Sequence, residues 1–155
     1  MVTLAAMLVL SALLGLRYCA APHEITGTGR ASDGDSFRLG DTRIRLEGLD
    51  APELDQTCPA PDGGNWSCGL AARDGLADLL VLGPVTCRVS GRDHYGRALA
   101  RCSVAGQDLG ASLVGQGLAI SAGDYWPDHL AARARGAGIW QAGFDLPADW
   151  RHHSP

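Results

Sequence analysis

Short alternating apolar runs, more than long helical stripes, limit what this chain can fold into. Residues 24–30 read as a first strand rich in Thr and Gly. "SFRLG" (Ser36–Gly40) and "TRIRLEGL" (Thr42–Leu49) have the pattern of a hairpin joined at Gly40-Asp41. "VTCRV" (Val85–Val89) and "ALARCSV" (Ala98–Val104) are two further strands, with the polar "SGRDHYGR" between them. A loop dense in Pro, Gly and Asp (Ala51–Ser67) precedes "GLAARDGLADLLVLG" (Gly69–Gly83). There Leu76, Leu79 and Leu80 fall at helical spacing before a Gly-Pro stop. Asp108 caps a helix over 108–119 that carries Leu109, Leu113 and Val114 on one face, and a last short helix spans His129–Arg135. Five short strands with about three helices appended predict an α+β domain on a five-stranded Greek-key β-barrel of the OB type.

A chain of 155 residues holds one domain with a modest core, and 46% apolar residues excludes a disordered polymer. Met1–Leu16 contain no charged side chain, and Arg17 and the small residues of Cys19–Pro22 follow. That pattern predicts a signal peptide over 1–21, cut after Ala21, with 22–155 as the mature domain. The apolar run is short for a bilayer span, and no basic residue leads it. A membrane tether through residues 2–16 is the alternative, and a buried N-terminal helix is a third reading. Either of the first two places the domain outside the cytoplasm, periplasmic or secreted in the one case and membrane-anchored in the other.

Beyond Cys19 four cysteines remain: Cys58, Cys68, Cys87 and Cys102. Two disulfides suit an exported domain of this size, and four cysteines allow three pairings. Cys58 and Cys68 bracket a Pro/Gly-rich loop, while Cys87 and Cys102 sit on neighbouring strand-like runs, which favours the local pairing. Zinc is the rival, but nine and fourteen intervening residues match no common finger. The net charge is −4, and all 13 basic residues are arginine. A chain this acidic cannot grip nucleic acid by its overall field. A polyanion has to be held locally, by arginine forks that suit phosphate.

Two acidic stretches bracket the hairpin. "DGDS" (Asp33–Ser36) is a turn at the end of the first strand, and "RIRLEGLDAPE" (Arg43–Glu53) ends the third on Asp50, Ala51-Pro52 and Glu53. A barrel can gather Asp33, Asp35, Asp50 and Glu53 at one rim. Crowded carboxylates raise one another's pKa unless a cation lies among them, and hard oxygen ligands suit Ca²⁺ or Mg²⁺. Taken singly, each fragment also reads as a solvated turn or a helix-capping loop. Arg45, in phase with Arg43 and Glu47, and Arg97, delivered by the turn "DHYGR" (Asp93–Arg97), add guanidinium groups. Arginines beside a cation and a carboxylate are what phosphodiester cleavage requires.

The set "DGDS", "RLEGLDAPE", "DHYGR", "LVGQGLA" and "GIW", in this order over Glu24–Trp140, resembles the staphylococcal-nuclease-like (thermonuclease) family. "CPAPDGGNWSCG" and "FDLPADWR" are similar to its exported bacterial members. The resemblance implies a Ca²⁺-dependent phosphodiesterase, an endonuclease type acting on single-stranded or frayed DNA and on RNA, with no obligate protein partner. It implies Ca²⁺ held by Asp35, Asp50 and the carbonyl of Ala51, with Asp33 behind them. Glu53 would position or deprotonate water, and Arg45 and Arg97 would grip the phosphate. Cleavage would leave a 3′-phosphate and a 5′-hydroxyl. His94 and Tyr95 match positions near the bound nucleotide, His94 standing where the family often has Lys or Arg. Tyr125 and Trp126 follow "QGLA" in a register different from the family's tyrosines, which removes a base-stacking platform. The alternative is a catalytically weak OB module that binds nucleic acid or protein; the presence of Asp35, Arg45, Asp50, Glu53 and Arg97 together favours catalysis.

Overall fold

The computed structural model of the chain describes residues 23–153. The expected signal or tether lies outside these residues. The main sheet has the order β1-β8-β9-β4-β3-β2, with β10 (Gln107–Asp108) added to β9. Its strands are β1 (His23–Gly27), β2 (Gly29–Ala31), β3 (Ser36–Leu39), β4 (Thr42–Leu46), β8 (Val85–Arg92) and β9 (Ala98–Val104). The two strands at the ends of that order are consecutive in the chain, broken only at Thr28. One stretch, 23–31, therefore supplies both edges, and the sheet curls into the expected five-stranded OB-type barrel. The single first strand read from sequence is thus two strands serving opposite neighbours, β8 and β3.

Alternation fixes which face turns inward. Ile44 and Leu46 in β4, Val85, Cys87 and Val89 in β8, and Ala98, Ala100, Cys102 and Val104 in β9 are buried. Arg43, Arg88 and Arg101 between them are exposed. The third strand ends at Leu46, shorter than the sequence pattern implied. Glu47 and Gly48 form a turn, Gly48 at φ +81°, and β5 (Leu49–Asp50) then pairs with β11 (Ile120–Ser121). β8 runs three residues past Val89, across an irregularity between Val89 and Gly91, so only 93–97 form the connecting loop. β4 and β9 run parallel, with Ile44 opposite Ala98. That register brings the residue before Ala98 beside Arg43, two residues from Arg45 along β4.

Among the described residues, four helices and one 3₁₀ turn cover the barrel. Helix α1 (Cys68–Leu80) buries Ala72, Leu76, Leu79 and Leu80 against the core, as its spacing predicts. Helix α2 (Leu109–Gly115) starts on Asp108, whose side chain accepts the Ala111 N–H at 2.9 Å. It stops at Gly115, short of the predicted end. Helix α3 covers Trp126–Ala134, the 3₁₀ turn Gly138–Gln141, and α4 Pro147–His153. The last helix was not expected, because seven residues show no apolar period. Among the described residues no helix is long and apolar enough to cross a membrane.

Disulfides join Cys58 to Cys68 and Cys87 to Cys102, the local pairing. Cys87 and Cys102 are directly paired residues of β8 and β9. Cys58–Cys68 closes the small hairpin of β6 (Cys58–Pro59) and β7 (Asn65–Trp66). It forms a second core with Ile139, against which Trp66, Trp140 and Phe144 pack. Bonds of this kind persist in oxidising, extracytoplasmic surroundings. Each closes a short loop, worth about 2–3 kcal/mol on the chain-entropy model. The C58A/C68A protein should therefore melt about 5–10 °C lower by calorimetry. An unchanged midpoint would remove this bond from the stability of the second core.

Candidate active site

The site begins with a buried acid. Ser32 and Asp33 donate their N–H groups to the Ser36 carbonyl, closing a tight turn that presents Asp35 inward. A Cβ at Gly34 would lie 2.7–2.8 Å from the Cβ atoms of Ala72 and Ala51, so only glycine lets this turn seat between α1 and the 50s loop. Asp35 is 2% exposed. Its Oδ1 accepts the Ser36 hydroxyl at 2.8 Å, and its Oδ2 accepts the Ala51 N–H at 3.3 Å and pairs with Arg45 Nη1. A buried carboxylate left without such partners would be strongly destabilising.

Arg45 lies across the hairpin from Ser36, on the strand face opposite Ile44 and Leu46. Its fork holds two acids at once: Nη1 faces Asp35 and Nη2 lies 2.9 Å from Asp50 Oδ1. Asp50 comes from β5, and Ala51 and Pro52 behind it are buried. The bend brings Glu53 back towards the same cleft. Its N–H donates to Gln56 Oε1 at 3.1 Å, and its carbonyl accepts the Gln56 N–H at 2.8 Å.

Arg97 arrives from the opposite side. Asp93 organises its turn: Oδ1 accepts the N–H groups of Tyr95 and Arg97, each at 2.9 Å, and Oδ2 takes Arg97 Nε at 2.7 Å. Burial acts to raise the Asp93 carboxyl, but the hydrogen bonds from Arg97 outweigh it and hold it below its usual range. Arg97 Nη1 reaches Ser36 Oγ at 3.2 Å, and its guanidinium lies 5.5 Å from the Tyr95 ring centre. The Ser36 hydroxyl therefore accepts from Arg97 and donates to Asp35.

One open cleft is lined by Asp33, Arg45, Glu53, His94, Tyr95 and Arg97, together with Arg151 from α4. Burial raises the Asp33 carboxyl, and the nearby charges of Asp35 and Glu53 raise it further. His94 and Tyr95 stack on each other at the cleft's exposed edge, ring centres 3.7 Å apart. The structure thus brings together the acids, arginines and edge residues named from the sequence. Tyr125 is not among them: it is half-buried, it fills the space that a side chain at Gly110 would need, and burial pushes its phenol to about 12.

Four residues of the network were not named in advance. Ser36 stood inside "DGDS" and Asp93 inside the turn, and an Asp two and four residues before the N–H groups it binds is a readable turn signal. Arg151 has no local signal, since its partners lie 98 and 101 residues away, and the bond from Gln56 to the Asp145 carbonyl is also distant in sequence, although its other partner, Glu53, is near. Arg151 Nη1 is 2.5 Å from Glu53 Oε1, and its Nη2 is 3.0 Å from Asp50 Oδ2. Its hydrogen bonds to Asp50 and Glu53 raise the Arg151 pKa against the opposing effect of burial.

The charges test the site's fitness for a cation. Asp33, Asp35, Asp50 and Glu53 face the guanidinium groups of Arg45 and Arg151, which leaves two negative charges uncompensated. That surplus, on hard oxygens, fits a divalent ion such as Ca²⁺. Among the described residues no three His, Cys, Asp or Glu side chains form a ligand cluster on their own. A cation here would have to be held by fewer than three of these side chains, with backbone or water oxygens making up the rest.

A family model described as "Staphylococcal nuclease homologue" matches residues 43–142, a span that holds Arg45, Asp50, Glu53 and Arg97. The chain is also similar to the succinoglycan biosynthesis protein ExoI of Rhizobium meliloti (strain 1021), at 35% identity over 86% of this chain and 74% of that protein. An uncharacterized endonuclease of Haemophilus influenzae is 26% identical over 88% of this chain and 78% of its own length. A family match across most of the domain, together with the geometry above, places the chain in the staphylococcal nuclease family.

Proposed function

We propose that this nuclease is a Ca²⁺-dependent phosphodiesterase acting on single-stranded or frayed DNA and on RNA. The observation that carries the reading is the cleft itself, where Glu53, Arg45 and Arg97 share one opening beside the Asp35–Asp50 pair. Asp35, Asp50 and the Ala51 carbonyl are assigned as the Ca²⁺ ligands, with Asp33 supporting them from the turn. The ion supplies positive charge to a phosphate oxygen when bound.

The remaining work belongs to side chains. Arg97, steadied by Asp93 on Nε and by Ser36 on Nη1, offers Nη2 to the phosphate, and Arg45 faces the phosphate from the acidic side. Both complement charge that grows on the non-bridging oxygens in the transition state. Glu53 accepts a proton from the attacking water as the new P–O bond forms. The bond from phosphorus to the 5′ oxygen breaks, its electron pair stays on that oxygen, and a solvent proton completes the 5′-hydroxyl. The other product keeps a 3′-phosphate. His94 and Tyr95 flank the nucleotide at the cleft's edge. Export through residues 1–21, by cleavage or as a tether, delivers the domain 22–155 outside the cytoplasm, where its disulfides form.

Two measurements test the reading. With single-stranded DNA and Ca²⁺, E53Q should lower kcat by about 10²–10⁴, the range for loss of a general base. An unaltered rate would remove Glu53 from the chemistry. Chelation of Ca²⁺ should stop cleavage and readdition restore it, with end-group analysis showing 3′-phosphates. Cleavage that persists in excess chelator would defeat the ion assignment.

A further inference from the structure

The helix α4 delivers a guanidinium that the mechanism above leaves unused. Arg151 contacts Glu53 Oε1 at 2.5 Å and Asp50 at 3.0 Å and 3.3 Å. The segment carrying it is firmly seated. Pro147 is fully buried, and Phe144 meets Trp140 edge-on at 5.0 Å above the Cys58–Cys68 bond. Trp150 Nε1 donates to Asp55 Oδ1 at 3.3 Å.

Gln56 ties this segment to the catalytic loop. Its side chain is completely buried; Oε1 accepts the Glu53 N–H, and Nε2 donates to the Asp145 carbonyl at 2.8 Å. Glu53 is consequently held at two points by groups connected to residues 144–151. Gln56 holds its backbone and Arg151 holds its carboxylate. Without Arg151, a glutamate on a loop has several staggered rotamers open to it. A charge-assisted contact selects one of them. Arginine suits the task better than lysine because one planar fork bridges Glu53 and Asp50 together.

We propose that Arg151 is a positioning residue for hydrolysis, fixing the Glu53 carboxylate towards the attacked phosphate. The inference rests on the assignment of Glu53 as the base. Arg151 acts through Glu53 and does not itself hold the substrate.

The test compares R151A, R151K, E53Q and the R151A/E53Q double variant on single-stranded DNA with Ca²⁺, with H152A as a control on the same helix. R151A should lower kcat about 10–100-fold, the usual cost of losing a group that orients a catalytic one, and leave KM within about threefold. R151K should recover part of that loss. In the E53Q background, R151A should change kcat less than about threefold, because residues that act as one unit are not additive. In the calcium-free protein, NMR relaxation should show the Glu53 side chain rigid in wild type and mobile in R151A. An equal loss in both backgrounds, a rise in KM alone, or a mobile Glu53 in wild type would overturn the proposal. Inactive E53Q beside fully active R151A defeats only the role of Arg151, whereas fully active E53Q defeats the base assignment along with it.

Discussion

The fork of Arg45 lies between two carboxylates from different elements, Asp35 at the start of β3 and Asp50 in β5. Asp35 is almost wholly removed from water, and leaving its charge without Arg45 would cost about 3–5 kcal/mol, a large share of a domain's stability. Folding therefore strongly favours placing Arg45 on Asp35, and the second arm of the fork holds Asp50. The contact that makes the buried acid tolerable also assembles the acidic half of the cleft. From it the network continues in both directions, through Ser36 to Arg97 and through Asp50 to Arg151 and Glu53.

The curl of the sheet supplies the rest of the geometry. The β3–β4 hairpin sets Ser36 across from Arg45, and the parallel β4–β9 register sets Ala98 across from Ile44. Arg97 and Arg45 thus converge from strands separated by more than 50 residues. Glycine makes the packing beneath them possible. At Gly69 a Cβ would overlap the Glu53 carbonyl, so the start of α1 can press directly against the loop that carries the acid. The Cys58–Cys68 bond secures that same junction from the far side.

Much of this was legible in the sequence because barrel strands alternate. Ile44 and Leu46 against Arg43 and Arg45 give the inner and outer faces of β4 without any structure, and Leu76, Leu79 and Leu80 mark the buried side of α1. The break after Leu46 is missing from the reading of one strand over Thr42–Leu49, although Leu49 lies three residues on, out of step with a period of two. What could not be read is whatever depends on tertiary docking. The "PADWRHH" helix has no periodic apolar face, and Arg151 meets Glu53 across 98 residues of chain. The register after "QGLA" sets Tyr125 apart from the family's tyrosines, but its place in the space above Gly110, at the core's margin, depends on docking. The acids and arginines were identifiable as residue types. Their linkage through Ser36 to Arg97, through Gln56 to Asp145 and through Arg151 depends on neighbours that tertiary docking supplies, whereas the Asp93 turn is local.

Charge balance then constrains how such a molecule meets a polyanion. With a net charge of −4 and no lysine, its overall field repels nucleic acid, and attraction at the cleft is left to Arg45 and Arg97, beside the positioning Arg151. Each of these arginines is already paired with an acid, Arg97 with Asp93 and the other two with the Asp35–Asp50–Glu53 group. A phosphate entering alone meets two uncompensated negative charges beside those guanidinium groups. A divalent cation that neutralises the surplus removes this repulsion, so under the proposed function ion and phosphate each favour the binding of the other. On that proposal the acidic excess at the rim, unfavourable for substrate by itself, would make the arginines' grip on phosphate conditional on the ion.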